Sequence, residues 1–359
     1  MTTRERAAQV SKRTGKVQSV LGLLDPDDLG ITHTHEHVLI DLSCYSRIPE
    51  AASDRWSIDQ PTTMDLLSTM EPRWQYNLDN RLLLDEGVQT EEVRHFAVAG
   101  GGTLVDTTSV GIGRDPLALA RISRATGVQL VMGASHYVPL TYTDELHARS
   151  EDAIAESIIR DITVGVNETG VKAGVIGEVG NFWPTNETSR RILRASGRAS
   201  KATGASVIVH PGFGTDALFQ HADDLMEGGA EPSRIVMGHL DMFHNMDAIR
   251  RLAETGVMLE YDAFGMEGTN LGDVGGQPVH LPTDAETIGR LAQLIEWGYG
   301  DRLVIAHDVC RKSHLTGYGG NGYAHIIESI VPRMRGRGCS EDDIRRILVE
   351  NPARVLTFT

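Results

Sequence analysis

ITHTHEHVLID, residues 31–41, sets His33, His35 and His37 at alternate positions beside apolar residues. In a β-strand, residues i and i+2 point to one face, so an extended stretch projects these imidazoles the same way. Imidazole is a common ligand for divalent metals, and a strand holds its ring nitrogens rigidly. The stretch is read as a metal-holding strand, and the rest of the chain decides which fold presents it.

Working outward, short apolar runs alternate with helical stretches. Strands are expected at residues 103–106 (TLVD), 128–133 (VQLVMG), 171–179 (VKAGVIGEV), 205–210 (ASVIVH), 234–239 (RIVMGH), 257–262 (VMLEYD) and 302–308 (RLVIAHD). Helices are expected at 80–97, 115–126, 150–164, 187–203, 216–227, 246–255 and 284–297, with closing helices at 323–335 and 340–350. Such alternation belongs to parallel sheets. With the histidine strand there are eight units, which predicts an α/β fold of the (β/α)8 TIM-barrel type. The competitor is a doubly wound open sheet, but no G-x-G-x-x-G follows the first strand. Residues 16–24 (KVQSVLGLL) and the turn at 25–28 read as a short N-terminal β-hairpin covering one barrel end. Residues 1–13 read as a loose tail, and residues 1–359 as a single domain, since no linker or repeat interrupts them. The connection at 43–80 is long enough to be a lid, unless it holds short helices of its own.

The net charge of −15, with no dominant basic patch, argues against nucleic acid and anionic membranes as partners and leaves a small-molecule substrate. A homodimer is compatible with this composition. Cys44, Cys310 and Cys339 are odd in number and widely spaced, so neither a disulfide framework nor a cysteine zinc site is indicated. The polar N-terminus lacks an apolar signal segment, and no apolar run reaches the length of a membrane span. A cytoplasmic location is expected.

The polar residues cluster by position. His35 and His37 lie towards the end of strand one, Glu178 ends strand four, His210 strand five, His239 strand six and Asp308 strand eight. In a barrel these ends converge on one face, where active sites sit. The six N and O donors suit two divalent ions. Lys172 is expected on the same strand as Glu178 with the same parity, and a carboxylated lysine could also bridge two ions. About 20 Å of strand separates them, so only one can lie in the metal layer. Glu178, at the C-terminal end with the other donors, is the bridge candidate. Lys172 is assigned to the opposite barrel end or to solvent.

THEH (34–37), GVIGEVG (174–180), VIVHPG (207–212), VMGHLD (236–241) and AHD (306–308) resemble the phosphotriesterase family of the amidohydrolase superfamily. GKVQSVLGLL (15–24), EYDAFG (260–265), AHDVCRKSHL (306–315), YGGNGYAHI (318–326) and ENPARVLTF (350–358) are similar to its phosphotriesterase-related branch. The resemblance implies a binuclear centre, usually of zinc, with manganese or cobalt as alternatives. It implies that His35, His37 and Asp308 hold the more buried ion, that His210 and His239 hold the more exposed one, and that Glu178 and a hydroxide bridge them. Organophosphate-hydrolysing members use a carboxylated lysine as the bridge; this chain has Glu178. The implied activity is hydrolysis of a small carboxylic amide or ester, above all an N-acyl amide with an anionic tail. Lactonase or phosphotriesterase activity on the same centre is the alternative among enzymes, and a non-catalytic metal-containing binding protein the alternative outside them.

Asp308 is read as both ligand and proton shuttle. Four loop residues are candidates for the substrate: Tyr137 as a donor, Trp183 as a wall, and Arg311 and Lys312 as partners of an anionic group. His33 shares the parity of His35 and is expected to be packed or hydrogen-bonded. The loop at 317–322 (GYGGNG) is expected to be a lid or a backbone nest for an anion.

Overall fold

Eight parallel strands lie side by side in chain order in the computed structural model, which describes residues 13–70, 74–267, 270–274 and 277–359. They are β1 (Ile31–Glu36), β2 (Gly101–Asp106), β3 (Gln129–Ala134), β4 (Val175–Gly180), β5 (Val207–His210), β6 (Ile235–Met237), β7 (Met258–Tyr261) and β8 (Leu303–Ile305). The ring closes where Asp308 N–H donates to His35 O at 3.1 Å and His37 N–H donates to Val309 O at 3.2 Å. This closure makes a barrel of what would otherwise be an open sheet. One inward residue from each of seven strands (Val105, Val131, Val175, Ile208, Val236, Met258 and Val304) builds an apolar layer. Val17 and Leu29 from the start of the chain, and Val355 and Leu356 from its end, plug that layer from the N-terminal side. Towards the other end the inward positions turn ionisable, as in the step from Met258 to Glu260 along β7.

The outer helices are α1 (Glu86–Val98), α2 (Pro116–Thr126), α3 (Glu151–Thr163), α4 (Glu187–Thr203), α5 (Thr215–Gly228), α6 (Met246–Glu254) and α7 (Asp284–Glu296). Asp85, Asp115, Ser150, Asn186, Asn245 and Thr283 cap six of them by accepting first-turn amide protons. The Asp85 cap corrects the expected start of α1 at residue 80. Residues Asp79–Arg81 instead form a 3-10 turn, and Leu82–Leu83 pairs with Ile40–Asp41. The last helix runs beyond residue 350 through Asn351–Leu356, because its end supplies the barrel plug and Asn351 Nδ2 donates to Gly300 O and Leu303 O.

The expected hairpin forms between Val17–Ser19 and Gly22–Leu24. Residues 1–12 of the expected tail lie outside the described residues, but Arg13 is buried against the Phe358 ring. The 43–80 connection holds 3-10 turns at Ser43–Tyr45, Ala52–Ser57 and Met64–Leu66. Among the described residues no helix is long and apolar enough to cross a membrane.

Candidate metal centre

Two β-bulges decide which side chains enter the barrel. In the β1–β2 ladder His33 pairs with Leu104 and Glu36 with Asp106, so β1 spends one residue more than β2 over that interval. The extra residue breaks the alternation. His35 and His37 face the interior. His33 faces the helices instead, with the rings of Phe96 and His307 each 4.8 Å away. The expectation that His33 shares the face of His35 is thereby corrected. In the β4–β5 ladder Ile176 pairs with Val207 and Val179 with Val209, a second bulge. Gly177 adopts φ +125° there, and a Cβ on it would lie 2.3 Å from Ile208 O. This bulge turns Glu178 into the barrel. Lys172 precedes β4 and lies with Arg13 and Gln18 at the N-terminal end, away from the donors, as its spacing from Glu178 predicts. Its parity with Glu178 carries no meaning, because residues 171–174 are outside the strand and the bulge intervenes.

His239 (φ 54°) and Asp308 (φ 51°) adopt left-handed backbone, so β6 and β8 end before them rather than at them. Such backbone costs about 1–3 kcal/mol and persists where surrounding bonds impose it. His239 N–H donates to Asp262 Oδ2 at 2.9 Å. On either side of Asp308, His307 N–H and Val309 N–H donate to the Glu36 carboxylate at 3.0 and 3.1 Å.

Four imidazoles converge on the Glu178 carboxylate. His35 Nε2, His210 Nδ1 and His239 Nε2 lie 3.3, 3.2 and 3.5 Å from its Oε2, and His37 Nε2 lies 3.2 Å from its Oε1. Asp308 Oδ1 is 3.3 Å from His37 Nε2. Three of these rings are oriented from behind. His35 Nδ1 pairs with Glu260 at 2.9 Å, His239 Nδ1 with Asp262 at 2.9 Å and His37 Nδ1 with Thr108 at 2.9 Å. Committing the Nδ1 proton of His35 and His239 to a carboxylate leaves the Nε2 lone pair facing inward. His210 Nδ1 and His239 Nε2 stand 2.7 Å apart, while His35 Nε2 and Glu178 Oε2 are buried and make no hydrogen bond. Lone pairs therefore meet with too few protons between them, the chemistry of a cation site.

The electrostatics agree. Burial disfavours charge on His35, but Glu260 and Asp262 outweigh it and hold its pKa well above the usual imidazole value. Burial likewise opposes charge on His37, yet Asp308 and Glu178 raise it to about 9. Burial would raise Glu178, but the facing imidazoles of His210, His239 and His35 hold it well below the usual carboxylate range. The cluster favours positive charge around an ionised carboxylate. Two sets, His35–His37–Asp308 and Glu178–His210–His239, bring one donor atom from each residue within 4.8 Å of one another. A set of N and O donors fits zinc, manganese or cobalt. His33, Glu36 and His307 also meet, but His307 Nδ1 pairs with Glu36 at 2.7 Å and its Nε2 accepts from Ile326 N–H at 3.1 Å. Both ring nitrogens of His307 are spent, so the Glu36–His307 pair clamps the strand ends around Asp308.

A narrow cavity of about 60 Å³ opens onto His210, His239 and Asp308, walled by Tyr45, Trp74, Tyr137, Phe213, Met266 and Arg311. The Tyr137 ring stands 5.4 Å from that of His210, with its hydroxyl 3.5 Å from the Tyr45 hydroxyl. The Arg311 guanidinium lies over the Trp74 ring at 5.3 Å. Two expected pocket residues are placed elsewhere. Trp183 packs against the backbone of Gly212 and Gly214 with its ring 6.5 Å from that of His221, and it does not line the cavity. Lys312 is drawn away by Asp79, whose Oδ1 is 2.6 Å from its Nζ. The glycine-rich loop is no anion nest: the amides of Gly317, Tyr318, Gly319, Gly320 and Gly322 all donate to oxygens within the protein. It borders a larger cavity of about 500 Å³ beside the centre.

Glu36, Glu260, Asp262, Tyr45 and Trp74 were not singled out as site residues from the sequence. Glu260 and Asp262 had a signal, an i, i+2 pair of carboxylates on a barrel strand whose apolar start faces inward. Tyr45 and Trp74 lie in a connection without periodicity, so only the folded chain brings them to the mouth.

Residues 15–356 match the phosphotriesterase family. The N-acetyltaurine hydrolase of Dictyostelium discoideum is 36% identical over 370 residues, covering 97% of this chain and 100% of that protein. The N-acetyltaurine hydrolase of Homo sapiens is 38% identical over 352 residues, with the same coverage of each. A solved structure, a resiniferatoxin-binding protein from Rhodobacter sphaeroides, superposes with a TM-score of 0.91 at 34% identity, covering 96% of this chain and 95% of that one.

Proposed function

The chain belongs to the phosphotriesterase family, a family of binuclear metal hydrolases, and from that premise we propose that it cleaves a short N-acyl amide with an anionic tail, N-acetyltaurine being the reference compound. The observation that carries this reading is the convergence of four imidazole nitrogens on Glu178. His35, His37 and Asp308 would hold one ion, His210 and His239 the other, with Glu178 between them. Two divalent ions, zinc in the first instance, would polarise the scissile carbonyl and acidify the attacking water.

The remaining acts belong to side chains. The Asp308 carboxylate takes the water's proton and returns it to the leaving nitrogen, which an amide requires because an amine anion leaves poorly. The narrow cavity suits a small acyl group, with Tyr137 beside the carbonyl and Arg311 holding the anionic tail. Tyr45, Trp74 and Phe213 keep bulk water from the reacting bond. Cys44, Cys310 and Cys339 are thiols rather than disulfide halves, which supports a reducing, cytoplasmic location. The plug built jointly from both ends of the barrel-forming chain supports a single domain over residues 1–359.

Metal-loaded protein is expected to release acetate and taurine from N-acetyltaurine, measured by NMR. A chelator is expected to abolish turnover, and zinc, manganese or cobalt to restore it. Elemental analysis of active protein should find about two ions per chain, since the donors are too many for one tetrahedral site. One ion or none would end the binuclear reading, and turnover confined to lactones would move the substrate to an ester.

Glu260→Gln preserves shape but removes the carboxylate that orients His35. Metal affinity, read by competition with a chromogenic chelator, is expected to fall about 10- to 100-fold. Unchanged affinity would mean that Glu260 contributes nothing to ligand placement.

A further inference from the structure

At the end of the barrel opposite Asp308, the N-terminal hairpin and the loop before β4 enclose a cavity of about 590 Å³. Arg13, Arg124 and Lys172 line it, and among the described residues its lining holds no aspartate or glutamate. Arg13 is 3% exposed, yet among the described residues its buried Nη1 and Nη2 find no hydrogen-bond partner. Its Cζ lies 5.5 Å from the Phe358 ring centroid, a contact that stabilises the cation without satisfying its N–H groups. A guanidinium keeps its proton in a protein, so this residue remains a buried charge with unused donors. Lys172, half-buried, stands close enough that Arg13 adds to the effect of burial in lowering its pKa. Like charges are not brought together away from carboxylates without cost unless something negative joins them. Gly22 and Gly170 leave room, since a Cβ on either would meet nothing within 4 Å.

We propose that this cavity is a second ligand site, separate from the metal centre, which takes a small molecule or ion bearing a multivalent oxyanion of the phosphate type. The Arg13 fork offers two parallel N–H donors to such a group, and Lys172 adds a point charge beside it. Arg124, exposed at the rim, draws the anion in. The site lies where the two chain ends are stitched together: Gly15 N–H donates to Phe358 O at 2.9 Å and Phe358 N–H to Lys16 O at 3.0 Å. An anion there ties the hairpin to the C-terminus, so occupancy stabilises the fold.

The test is thermal unfolding of the metal-loaded protein against inorganic phosphate, at ionic strength held constant with sodium chloride. A parallel arm with glycerol phosphate tells a free ion from an ester-borne group by which binds more tightly. Wild type is expected to show a saturable rise in Tm. Lys172→Ala is expected to raise the apparent Kd by about 10-fold, the scale of one charge-assisted hydrogen bond, and Arg13→Lys is expected to weaken the response as well. His210→Asn, which alters the other end of the barrel, should leave the response in place. Three results would each overturn the proposal: no saturable rise in wild type, a wild-type response in Lys172→Ala, or loss of the response in His210→Asn, which would put phosphate on the metals. The readout is stability, so it does not depend on the substrate proposed above.

Discussion

Glu178→Ala is expected to empty the metal centre, with metal content falling from about two ions per chain to one or none. Hydrolysis should fall by roughly 10³-fold or more, since the ions' charge stabilisation is worth several kcal/mol. Removing the carboxylate that faces His35, His37, His210 and His239 leaves four imidazoles around a void, with Asp308 beside His37 as the one carboxylate left in the donor set. Two neighbouring cations would then repel across a low-dielectric space. Lys172→Ala is expected to keep both ions, because Lys172 lies at the far end of the barrel. Elemental analysis of both variants, purified side by side, decides the matter. Loss of metal in Lys172→Ala together with retention in Glu178→Ala would transfer the bridging role to the lysine.

Asp308→Asn is the second large effect, and it separates catalysis from assembly. An amide oxygen can still coordinate, so most of the metal should remain. Activity on an N-acyl amide should nevertheless fall by roughly 10² or more, the scale of general acid–base catalysis. In the wild-type protein, burial would raise Asp308, but the hydrogen bond from His37 and the charges of His239, His37 and His35 hold its pKa below the usual carboxylate value. The carboxylate is ionised and ready to accept a proton; an amide cannot. The loss should be greater for amides than for activated aryl esters, whose leaving groups depart without protonation. Measuring kcat on both substrate types, with metal content in parallel, tests this. Equal losses on both, or a metal-free variant, would leave Asp308 as a ligand alone.

Much of this protein is determined by local sequence. The βα rhythm, with short apolar runs between helical stretches, was enough for the barrel, because strand and helix periodicities are properties of neighbouring residues. The convergence of His35, His37, Glu178, His210, His239 and Asp308 was legible too, since the C-terminal ends of parallel barrel strands must share a face. The tertiary structure decided which way individual side chains turn. His33 was expected on the face of His35 and lies on the other, because a bulge against β2 inserts a residue into the alternation. Register is set by hydrogen bonds to a partner strand some seventy residues away, which no local pattern records. Trp183 and Lys312 left the expected pocket for the same kind of reason: the backbone of Gly212 and Gly214 and the carboxylate of Asp79 offered them partners that meet only in the folded chain. Tyr45 and Trp74 entered it from an aperiodic connection, and Glu36 reached both sides of Asp308 through two amides just beyond the last strand. Periodicity names the face of a regular element; bulges, strand ends and loops break that periodicity, and there the long-range partner decides.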